Sequence, residues 1–303
     1  MNIRYYIKNP RKLILLLNRK RLLNFLPDKA VLKIVYRATF GKKLDLKNPQ
    51  TYNEKLQWIK LFDRNPLYTA LVDKYLVRGF VKEQIGEEYL IPLLGEWKKA
   101  EEIDLDQLPD RFVLKCNHDS GSVVICKDKT HFNLTAIQKK LNHCMRRGTY
   151  MYGREWPYKN VEPRIIAEQY MEDEQDKGTL SDYKIHCFNG EPRFILVCSD
   201  RYSPEGLHED FYDLEWNLMD MRRPSHPNSS NGIPKPDKLE EMLGLARKLS
   251  KDLPFSRIDF YVINSKIYFG EITLFPASGF RAFEPEKWDA ILGEWIELPA
   301  KTI

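Results

Sequence analysis

The sequence lacks the features that mark membrane-spanning, secreted and repetitive proteins. No run of about 18 apolar residues occurs along the chain, so we expect no membrane-spanning helix. The N-terminus has neither the uninterrupted apolar core nor the small-residue cleavage site of a signal peptide. Low-complexity tracts and internal repeats are absent, and 43% of the 303 residues are hydrophobic. We therefore expect a folded globular protein in the cytoplasm.

Cysteine is scarce, and its spacing excludes two common uses. The five cysteines are an odd number and include no CxxC pair, which is typical of reduced thiols rather than of disulfides or a zinc site. Their positions are Cys116, Cys126, Cys144, Cys187 and Cys198. Four of them fall in or beside predicted strands, so we expect buried structural residues.

Acidic residues are nearly missing from the first 50 positions. Residues 1–50 contain 13 Lys/Arg and 2 Asp, whereas the remaining 253 residues contain 35 Lys/Arg and 41 Asp/Glu. The basic residues alternate with Leu and Ile clusters and predict two helices, broken near Leu26 to Asp28 by Pro27. Nucleic acid binding is not expected, because the aromatic residues do not interleave with the basic ones as a stacking surface requires.

Two interpretations of residues 1–50 remain open. A basic amphipathic segment can lie on an anionic membrane surface, which would make the protein peripheral at the inner face of the membrane. Alternatively, the segment forms a helical hairpin that packs on the core and leaves its Lys and Arg side chains in solvent.

Hydrophobic periodicity and turn residues predict an α+β protein with mainly antiparallel sheets. Residues 51–95 are mostly helical in pattern, and residues 133–147 and 239–253 are further helices. The predicted strands are 112–116, 123–126, 165–171 and two within 182–199, where Asn189 and Gly190 form the turn. Residues 150–158 form an aromatic loop, and residues 224–237 form an exposed loop.

A hairpin within residues 257–280 places two carboxylates where they can converge. Asp259 and Glu271 lie on two β-rich runs separated by residues 264–266. If the loop holds these three residues, Ile263 pairs with Ile267, and Asp259 faces Glu271. A two-residue loop would put the two acids on opposite faces.

Two carboxylates so close repel each other unless a cation compensates them. Oxygen ligands without His or Cys favour Mg²⁺, which commonly combines one or two carboxylates with water and the phosphates of a substrate. The pair therefore predicts a magnesium and nucleotide site. The alternative is that both acids are solvated on an exposed sheet face.

Polar residues after the strand at 112–116 form a second candidate site. Lys115 ends that strand and can pair with phosphate as a compact charge. The loop that follows offers small side chains and backbone N–H groups that can close over a polyphosphate, through Ser120, Gly121 and Ser122. The GxxxxGK[ST] spacing of a Walker A loop is absent. The alternative is a plain hairpin with an exposed lysine.

The order of five motifs resembles the ATP-grasp superfamily, and within it the TupA-like ligases associated with polysaccharide and teichuronopeptide synthesis. The motifs are VDKYLVRGFV, FVLKCNHDSGS, RIIAEQYMED, SDYKIHCFNGEP and the RIDF…EIT hairpin, and the resemblance extends over most of residues 50–285. It implies two α+β lobes with mainly antiparallel sheets that hold ATP between them, preceded by N-terminal helices.

The resemblance also implies roles for individual residues. Lys74 reaches the nucleotide phosphates, Asp182 binds the ribose hydroxyls, and Lys184 contacts phosphate. Arg257 acts on the transferring phosphoryl group. The hinge strand contacts adenine through Glu168, Gln169, Tyr170 and Met171. Mg²⁺ is held by Asp259, Glu271 and Thr273, and Thr273 departs from the Asn of many ATP-grasp ligases. For Lys74 and Lys184 the alternative is a solvated surface lysine.

The implied reaction is ATP-dependent carboxylate–amine ligation through an acyl phosphate. The subfamily implies a uronic-acid glycan or its precursor as one substrate and an amino acid or small amine as the other, in capsule or exopolysaccharide synthesis. His118 is a candidate to accept the proton of the amine, and the alternative is that it is a polar surface group. Two alternatives stay open: a kinase of a glycan or another hydroxyl, and a peripheral membrane adaptor with a degenerate ATP site.

Near the aromatic loop, Tyr150, Tyr152 and Trp156 could stack on sugar rings while Arg154 pairs with a carboxylate. The alternative is that these residues pack a lid over the cleft. The predicted divisions of the chain are a basic helical segment (1–50), a helical region that precedes the ATP-grasp fold (51–110), a lid subdomain (111–175) and a metal and substrate subdomain (176–303).

Overall fold

The computed structural model describes residues 3–173, 182–199, 206–230 and 232–302. Helices come first in the chain: α1 (Ile3–Lys8), α2 (Pro10–Arg19), α3 (Asp28–Phe40), α4 (Tyr52–Phe62), α5 (Leu67–Val72) and α6 (Val77–Gln84). A capping box begins α4, because the Thr51 side chain accepts from the Glu54 N–H and the Glu54 carboxylate accepts from the Thr51 N–H.

Proline divides the N-terminal segment more finely than expected. The break at Pro27 is confirmed, since α3 begins at the next residue. A further break before Pro10 gives three helices rather than two, because a residue that precedes proline is disfavoured in helical conformation. The helices α2 and α3 pack on each other, and α3 buries Leu32 and Tyr36 in the main core.

A four-stranded antiparallel sheet follows, with the strand order β1-β4-β2-β3. Its strands are β1 (Leu93–Trp97), β2 (Phe112–Cys116), β3 (Val124–Cys126) and β4 (Ile165–Gln169). The helices α7 (Leu134–Met145) and α8 (Tyr150–Gly153) lie between β3 and β4 in the chain. The expectation of helix up to residue 95 is wrong at its end, because β1 pairs with β4 instead. The predicted aromatic loop contains α8 and a 3₁₀ turn at Trp156–Lys159.

A five-stranded antiparallel sheet forms the larger half, with the order β7-β6-β5-β8-β9. Its strands are β5 (Asp182–Phe188), β6 (Glu191–Ser199), β7 (His208–Tyr212), β8 (Phe255–Ile263) and β9 (Lys266–Thr273). The helix α9 (Leu239–Leu249) packs on β5 and β6, and α10 (Lys287–Glu294) packs on α4. Asn189 and Gly190 form the predicted turn, both at positive φ.

Two hydrophobic cores correspond to the two sheets. The larger core joins the five-stranded sheet to α3, α4, α5 and α9, and the smaller one lies between the four-stranded sheet and α7. The α+β class with two antiparallel sheets and N-terminal helices is therefore confirmed. The predicted boundary between residues 175 and 176 falls outside the described residues, and the division into subdomains stays a prediction.

All five cysteines are free and buried, as expected. Burial raises the pKa of Cys116 and of Cys187 to about 12, and that of Cys198 to about 11. Within the described ranges, the helices are too short or too polar for any of them to cross a bilayer.

Candidate functional site

The β8–β9 hairpin brings Asp259 and Glu271 face to face, as predicted, although its turn differs from the expected one. Asp259 pairs with Glu271, and Arg257 pairs with Thr273. The three-residue loop is wrong: Ile263 faces Lys266, so the loop is only Asn264 and Ser265. Both lie at positive φ, 50° and 60°, as a two-residue type I′ turn requires.

A β-bulge at Gly270 explains how the two acids still meet. Phe260 pairs with Phe269 and Asp259 with Glu271, so Gly270 is the extra residue of β9. The bulge shifts the register by one position and offsets the missing loop residue. A Cβ atom at position 270 would lie 3.1 Å from the Asp259 carbonyl oxygen and 3.0 Å from the Tyr261 ring, which favours glycine there.

Cations neutralise the carboxylate pair. The Arg257 guanidinium donates to both Asp259 oxygens, at 2.6 and 2.7 Å, and to Glu271 Oε1 at 2.9 Å. Lys184 Nζ donates to Asp259 Oδ2 at 2.6 Å and also contacts Asp182. Asp259 is only 1% exposed, so a solvated sheet face is the wrong interpretation for this residue.

The pKa values follow from this network. Burial acts to raise the pKa of Glu271, but Lys74, Arg257 and Lys184 outweigh burial and hold it at about 2. Burial opposes the charge of Lys184, yet Asp259 raises its pKa overall. The pKa of Asp182 is raised, chiefly by burial. The network therefore favours the charged forms of Lys184 and of the partly exposed Glu271.

Lys74 joins this cluster to the loop between β2 and β3. Its Nζ atom donates to the Asp119 carbonyl at 2.8 Å and lies 3.6 Å from Glu271 Oε2. Its backbone N–H donates to the Asn117 carbonyl at 3.0 Å. Asp73 fixes the turn that presents Lys74, since its Oδ1 accepts from the Tyr75 N–H at 2.8 Å. One lysine thus spans the two sheets.

The β2–β3 loop exposes two of its three predicted phosphate-binding residues. Ser120 and Gly121 are exposed, and a Cβ atom at Gly121 would meet nothing within 4 Å. Ser122 is buried, because its hydroxyl accepts from the Cys116 N–H at 2.7 Å and donates to Asp119. Ser122 therefore stabilises the conformation of the loop through buried hydrogen bonds.

His118 is buried rather than a surface group. Its Nδ1 lies 3.3 Å from Asn117 Oδ1, and its carbonyl accepts from the Thr149 hydroxyl at 2.7 Å. Within the described part of the chain, its Nε2 has no hydrogen-bond partner. If Nδ1 carries the proton, Nε2 is the basic nitrogen.

The remaining predicted residues gather on the four-stranded sheet. Glu168 is held between Lys115 Nζ, at 2.6 Å, and Arg78 Nη1, at 3.5 Å. Gln169 is exposed, Tyr170 lies under the Arg111 guanidinium at 4.9 Å, and Met171 is half-buried. Arg78, in α6, was not predicted.

A buried lysine that sequence reasoning missed lies behind the hairpin. Lys60 Nζ donates to Gln57 Oε1, to the Gly153 carbonyl and to the Ser278 carbonyl, at 2.9, 2.8 and 2.6 Å. The Ser278 hydroxyl donates to Glu155. Burial lowers the pKa of Lys60 to about 7, against the opposing charge of Glu155. The signal was its position four residues after Leu56, on the buried face of α4.

Lys60 holds an unusual turn in place. Ala277, Ser278 and Gly279 all lie at positive φ, at 48°, 55° and 61°. Non-glycine residues adopt this conformation rarely, and they persist there only when their surroundings fix it. The turn directly follows the carboxylate hairpin, so Lys60 and Gln57 fix the chain where it leaves the cluster.

Residues 150–156 are used mainly for packing. Arg154 is buried against Asp28, at 3.2 Å, and donates to the Leu23 carbonyl at 3.2 Å. The Trp156 indole N–H donates to the Asp63 carbonyl at 2.9 Å. Tyr152 remains exposed. Of the two interpretations, packing therefore describes Arg154 and Trp156.

Oxygen donors of the kind that a hard divalent cation prefers lie at one end of the cluster. Glu271 has a 35% exposed side chain, and the Thr273 hydroxyl lies 3.0 Å from its Oε1 atom. Both oxygens of Asp259 are bonded to Arg257 and Lys184, so Asp259 could act as a ligand only after release from one of them. Across the described ranges, no group of three or more His, Cys, Asp or Glu could hold a metal ion in the present arrangement.

Comparison with known families assigns the chain to a class. The family model described as TupA-like ATPgrasp matches residues 54–297, which include both sheets and the whole polar cluster. The protein is therefore an ATP-grasp protein. Within that class, the chain belongs to the TupA-like family. The helices α1 to α3 precede the matched region.

Three solved structures that match the chain at low identity are ligases by their names. D-alanine–D-alanine ligase from Bacillus anthracis complexed with ATP is 17% identical over 68% of this chain and 55% of that chain, with a TM-score of 0.43. D-alanine–D-alanine ligase from Helicobacter pylori is 15% identical over 81% of this chain and 69% of that chain, with a TM-score of 0.44. ATP-grasp ligase PsnB, complexed with minimal precursor, Mg and ADP, is 9% identical over 84% of this chain and 64% of that chain, with a TM-score of 0.40. The chain thus spans little more than half of the Bacillus anthracis enzyme, and no curated protein sequence matches it.

Proposed function

We propose that the protein is an ATP- and Mg²⁺-dependent ligase that joins a carboxylate to an amine through an acyl phosphate. The observation that carries this proposal is the convergence of Lys74, Lys184 and Arg257 on Asp259 and Glu271, at one face of the five-stranded sheet. Phosphoryl transfer to a carboxylate needs positioned cations more than a nucleophilic side chain, and the cluster supplies cations in a buried setting.

For the substrates, we propose a uronic-acid glycan or its precursor as the carboxylate and an amino acid or small amine as the acceptor. Membership of the TupA-like family supports this choice. The protein would then act in the synthesis of a capsule or another cell-surface polysaccharide.

The nucleotide would lie between the sheets. Lys74 and Lys115, with the exposed Ser120 and Gly121, would bind the phosphates. Adenine would contact residues 168–171. Asp182 would bind the ribose hydroxyls after it gives up its contact with Lys184. Lys184 would keep its bond to Asp259 and turn an ammonium N–H to phosphate. Glu168, held by Lys115 and Arg78, would keep the hinge strand in position.

Two steps account for the chemistry. A carboxylate oxygen of the substrate attacks the γ-phosphorus, and the bond to the ADP oxygen breaks, while Arg257 and Lys184 balance the transferred charge. The amine nitrogen then attacks the acyl carbon, the bond to the phosphate oxygen breaks, and the nitrogen loses a proton. His118 Nε2 would accept that proton once the loop opens, because it lacks a partner in the described chain.

Magnesium would be held by Glu271, together with Asp259 and Thr273. When bound, it supplies additional positive charge to the phosphate oxygens. Because Arg257 bridges the two carboxylates at 2.7 and 2.9 Å, it would have to leave one of them for both to act as ligands.

Hydroxylamine trapping and oxygen-isotope transfer test the mechanism. The protein is incubated with Mg-ATP and a uronic acid whose carboxylate carries ¹⁸O, with a panel of amino acids or with hydroxylamine. Ligation through an acyl phosphate transfers one ¹⁸O atom to the released phosphate and yields an amide or a hydroxamate. The Glu271→Gln variant should release no ADP, whereas Glu240→Gln, at an exposed carboxylate of α9, should match the wild type.

Other outcomes would identify the alternatives. A stable phosphoester, formed with ADP and without released phosphate, would show a kinase and overturn the ligase. Failure to bind Mg-ATP in calorimetry would overturn both enzymes and favour the adaptor.

A further inference from the structure

The loop between α2 and α3 exposes two large apolar side chains. Phe25 is 81% exposed and Leu22 is 59% exposed, the two highest values among the exposed large hydrophobic residues of the described chain. They lie three residues apart, at the tip of the hairpin that α2 and α3 form. Single exposed apolar residues are ordinary, but two at the tip of one element indicate a contact surface.

The charges around this tip are of one sign. Arg19 and Lys20 precede it, Lys29 follows it, and all three are exposed. No Asp or Glu occurs in the sequence before Asp28. Asp28 itself is engaged by the Arg154 guanidinium and by the Tyr150 hydroxyl. The apolar tip is thus flanked by cations whose nearest acidic neighbour in the sequence is already paired.

We propose that residues 19–29 dock on an anionic lipid surface. Leu22 and Phe25 insert into the boundary of the acyl chains, and Arg19, Lys20 and Lys29 contact the headgroup phosphates. Long basic side chains can follow an apolar insertion while their charged ends stay in the polar layer. A second copy of this chain would bring the same cations together, so charge favours an anionic surface over self-association.

Docking at this tip would orient the site toward the membrane. Several hydrogen bonds join the N-terminal hairpin to residues 148–154. Three of them use backbone carbonyls as acceptors: Arg21 Nη2 donates to the Gly148 carbonyl, Asn18 Nδ2 to the Tyr152 carbonyl, and Arg154 Nη2 to the Leu23 carbonyl, at 2.9, 3.1 and 3.2 Å. The same segment contacts His118 through Thr149 and Lys60 through Gly153. A substrate carried on a membrane lipid would therefore approach from the side of the β2–β3 loop.

Vesicle sedimentation tests the docking without ATP or substrate, so it is independent of the proposed ligation. The full chain is mixed with vesicles of phosphatidylcholine alone, or of phosphatidylcholine and phosphatidylglycerol in equal parts, at low and high salt. We expect binding only to the anionic vesicles, and weaker binding at high salt because the attraction is screened.

Matched variants locate the surface. Phe25→Ser should weaken vesicle binding about tenfold or more, because its apolar insertion is lost. The double change Arg19→Gln and Lys20→Gln should weaken it about 30-fold. Two controls lie elsewhere and should bind as the wild type does: Leu218→Ser, at another exposed leucine, and the pair Lys248→Gln and Lys251→Gln.

Four results would overturn the proposal. The first two are no binding to anionic vesicles at low salt and equal binding to neutral vesicles. The third is that Phe25→Ser and the double variant bind vesicles as the wild type does. The fourth is self-association of the protein that Phe25→Ser abolishes and that vesicles do not change.

Discussion

Glu271 and Asp259 face each other across one strand pair, yet their environments differ. Asp259 is buried with both oxygens bonded to cations, whereas Glu271 is partly exposed. The two carboxylates should therefore respond differently to neutralisation: the loss of the Asp259 charge should destabilise the protein more than the loss of the Glu271 charge.

Glu271→Gln should abolish turnover and lower the free energy of unfolding by about 1–3 kcal/mol, less than Asp259→Asn does, because the Glu271 side chain is partly exposed. Asp259→Asn should destabilise the protein by about 3–5 kcal/mol, because Arg257 and Lys184 would lose their buried partner. Urea denaturation and ADP release measure the two effects. Equal stability of the two variants would contradict the described ion pairs.

Lys60 should make stability depend on pH. Its pKa is about 7 in the folded state against an ordinary 10.5, so below pH 7 both states hold the proton and the cost of burying the charge is fully present. Between these values the unfolded chain keeps a proton that the folded chain has released, so stability rises with pH.

The comparison is with Lys60→Met, which cannot titrate at this position. The stability of the wild type relative to this variant should increase from pH 7 to pH 10, inside the window that the Lys60 pKa defines. Urea denaturation across this range measures it, and parallel pH profiles would show that Lys60 does not titrate there.

At the scale of single residues, the sequence predicts contacts between residues that are close in the chain. The pairing of Asp259 with Glu271 was predicted correctly, although from a three-residue loop that the hairpin does not have. The partners of Lys60 were not predicted, because Gly153 and Ser278 are distant in the chain and Lys60 meets them only through tertiary packing.

The β8–β9 hairpin shows what sequence can specify for an element. Alternating β-rich residues indicate both strands, but a three-residue loop without a bulge and a two-residue loop with one give the same pairing of the acids. Gly270 was the available signal, since an isolated glycine within a strand indicates a bulge. The same local sequences were ambiguous at β1, where only pairing with β4 decides for strand over helix.

Two glycine substitutions should have opposite effects. Gly270→Ala should destabilise the protein by about 1 kcal/mol or more, because the new methyl group would press on the Asp259 carbonyl and the Tyr261 ring. Gly244→Ala, within α9, should stabilise it by roughly 0.5–1 kcal/mol, because the methyl group meets nothing and helix propensity improves. Thermal denaturation measures both, and destabilisation by Gly244→Ala would contradict the open position.

For the whole molecule, composition and motif order were enough to predict the α+β class and the ATP-grasp fold. They did not show how the N-terminal helices relate to the core. Both interpretations of residues 1–50 have a counterpart in the structure, because α3 buries Leu32 and Tyr36 while the α2–α3 loop exposes Leu22 and Phe25. Amphipathic patterns alone do not tell which apolar residues find a partner.

Truncation should separate these two parts. Removal of residues 1–27 deletes no described residue of the main core and should leave cooperative thermal unfolding, although it removes the bonds of Asn18 to Tyr152 and of Arg154 to Leu23. Removal of residues 1–41 also deletes α3 and uncovers the main core, so the product should not fold. Circular dichroism measures both. Cooperative unfolding of the shorter product near the wild-type temperature would contradict the role given to α3.

The five buried cysteines give the molecule internal reporters of its own motions. Cys116 and Cys126 lie in the four-stranded sheet, and Cys187 and Cys198 lie in the five-stranded sheet. A buried thiol of raised pKa reacts with an alkylating reagent only when its surroundings open. The extent of alkylation of each cysteine after a short exposure, measured by mass spectrometry, therefore reports the opening of each sheet separately, without any introduced probe. A nucleotide that contacts both sheets should slow the alkylation of the cysteines in both. A ligand that contacts one sheet should slow alkylation in that sheet alone.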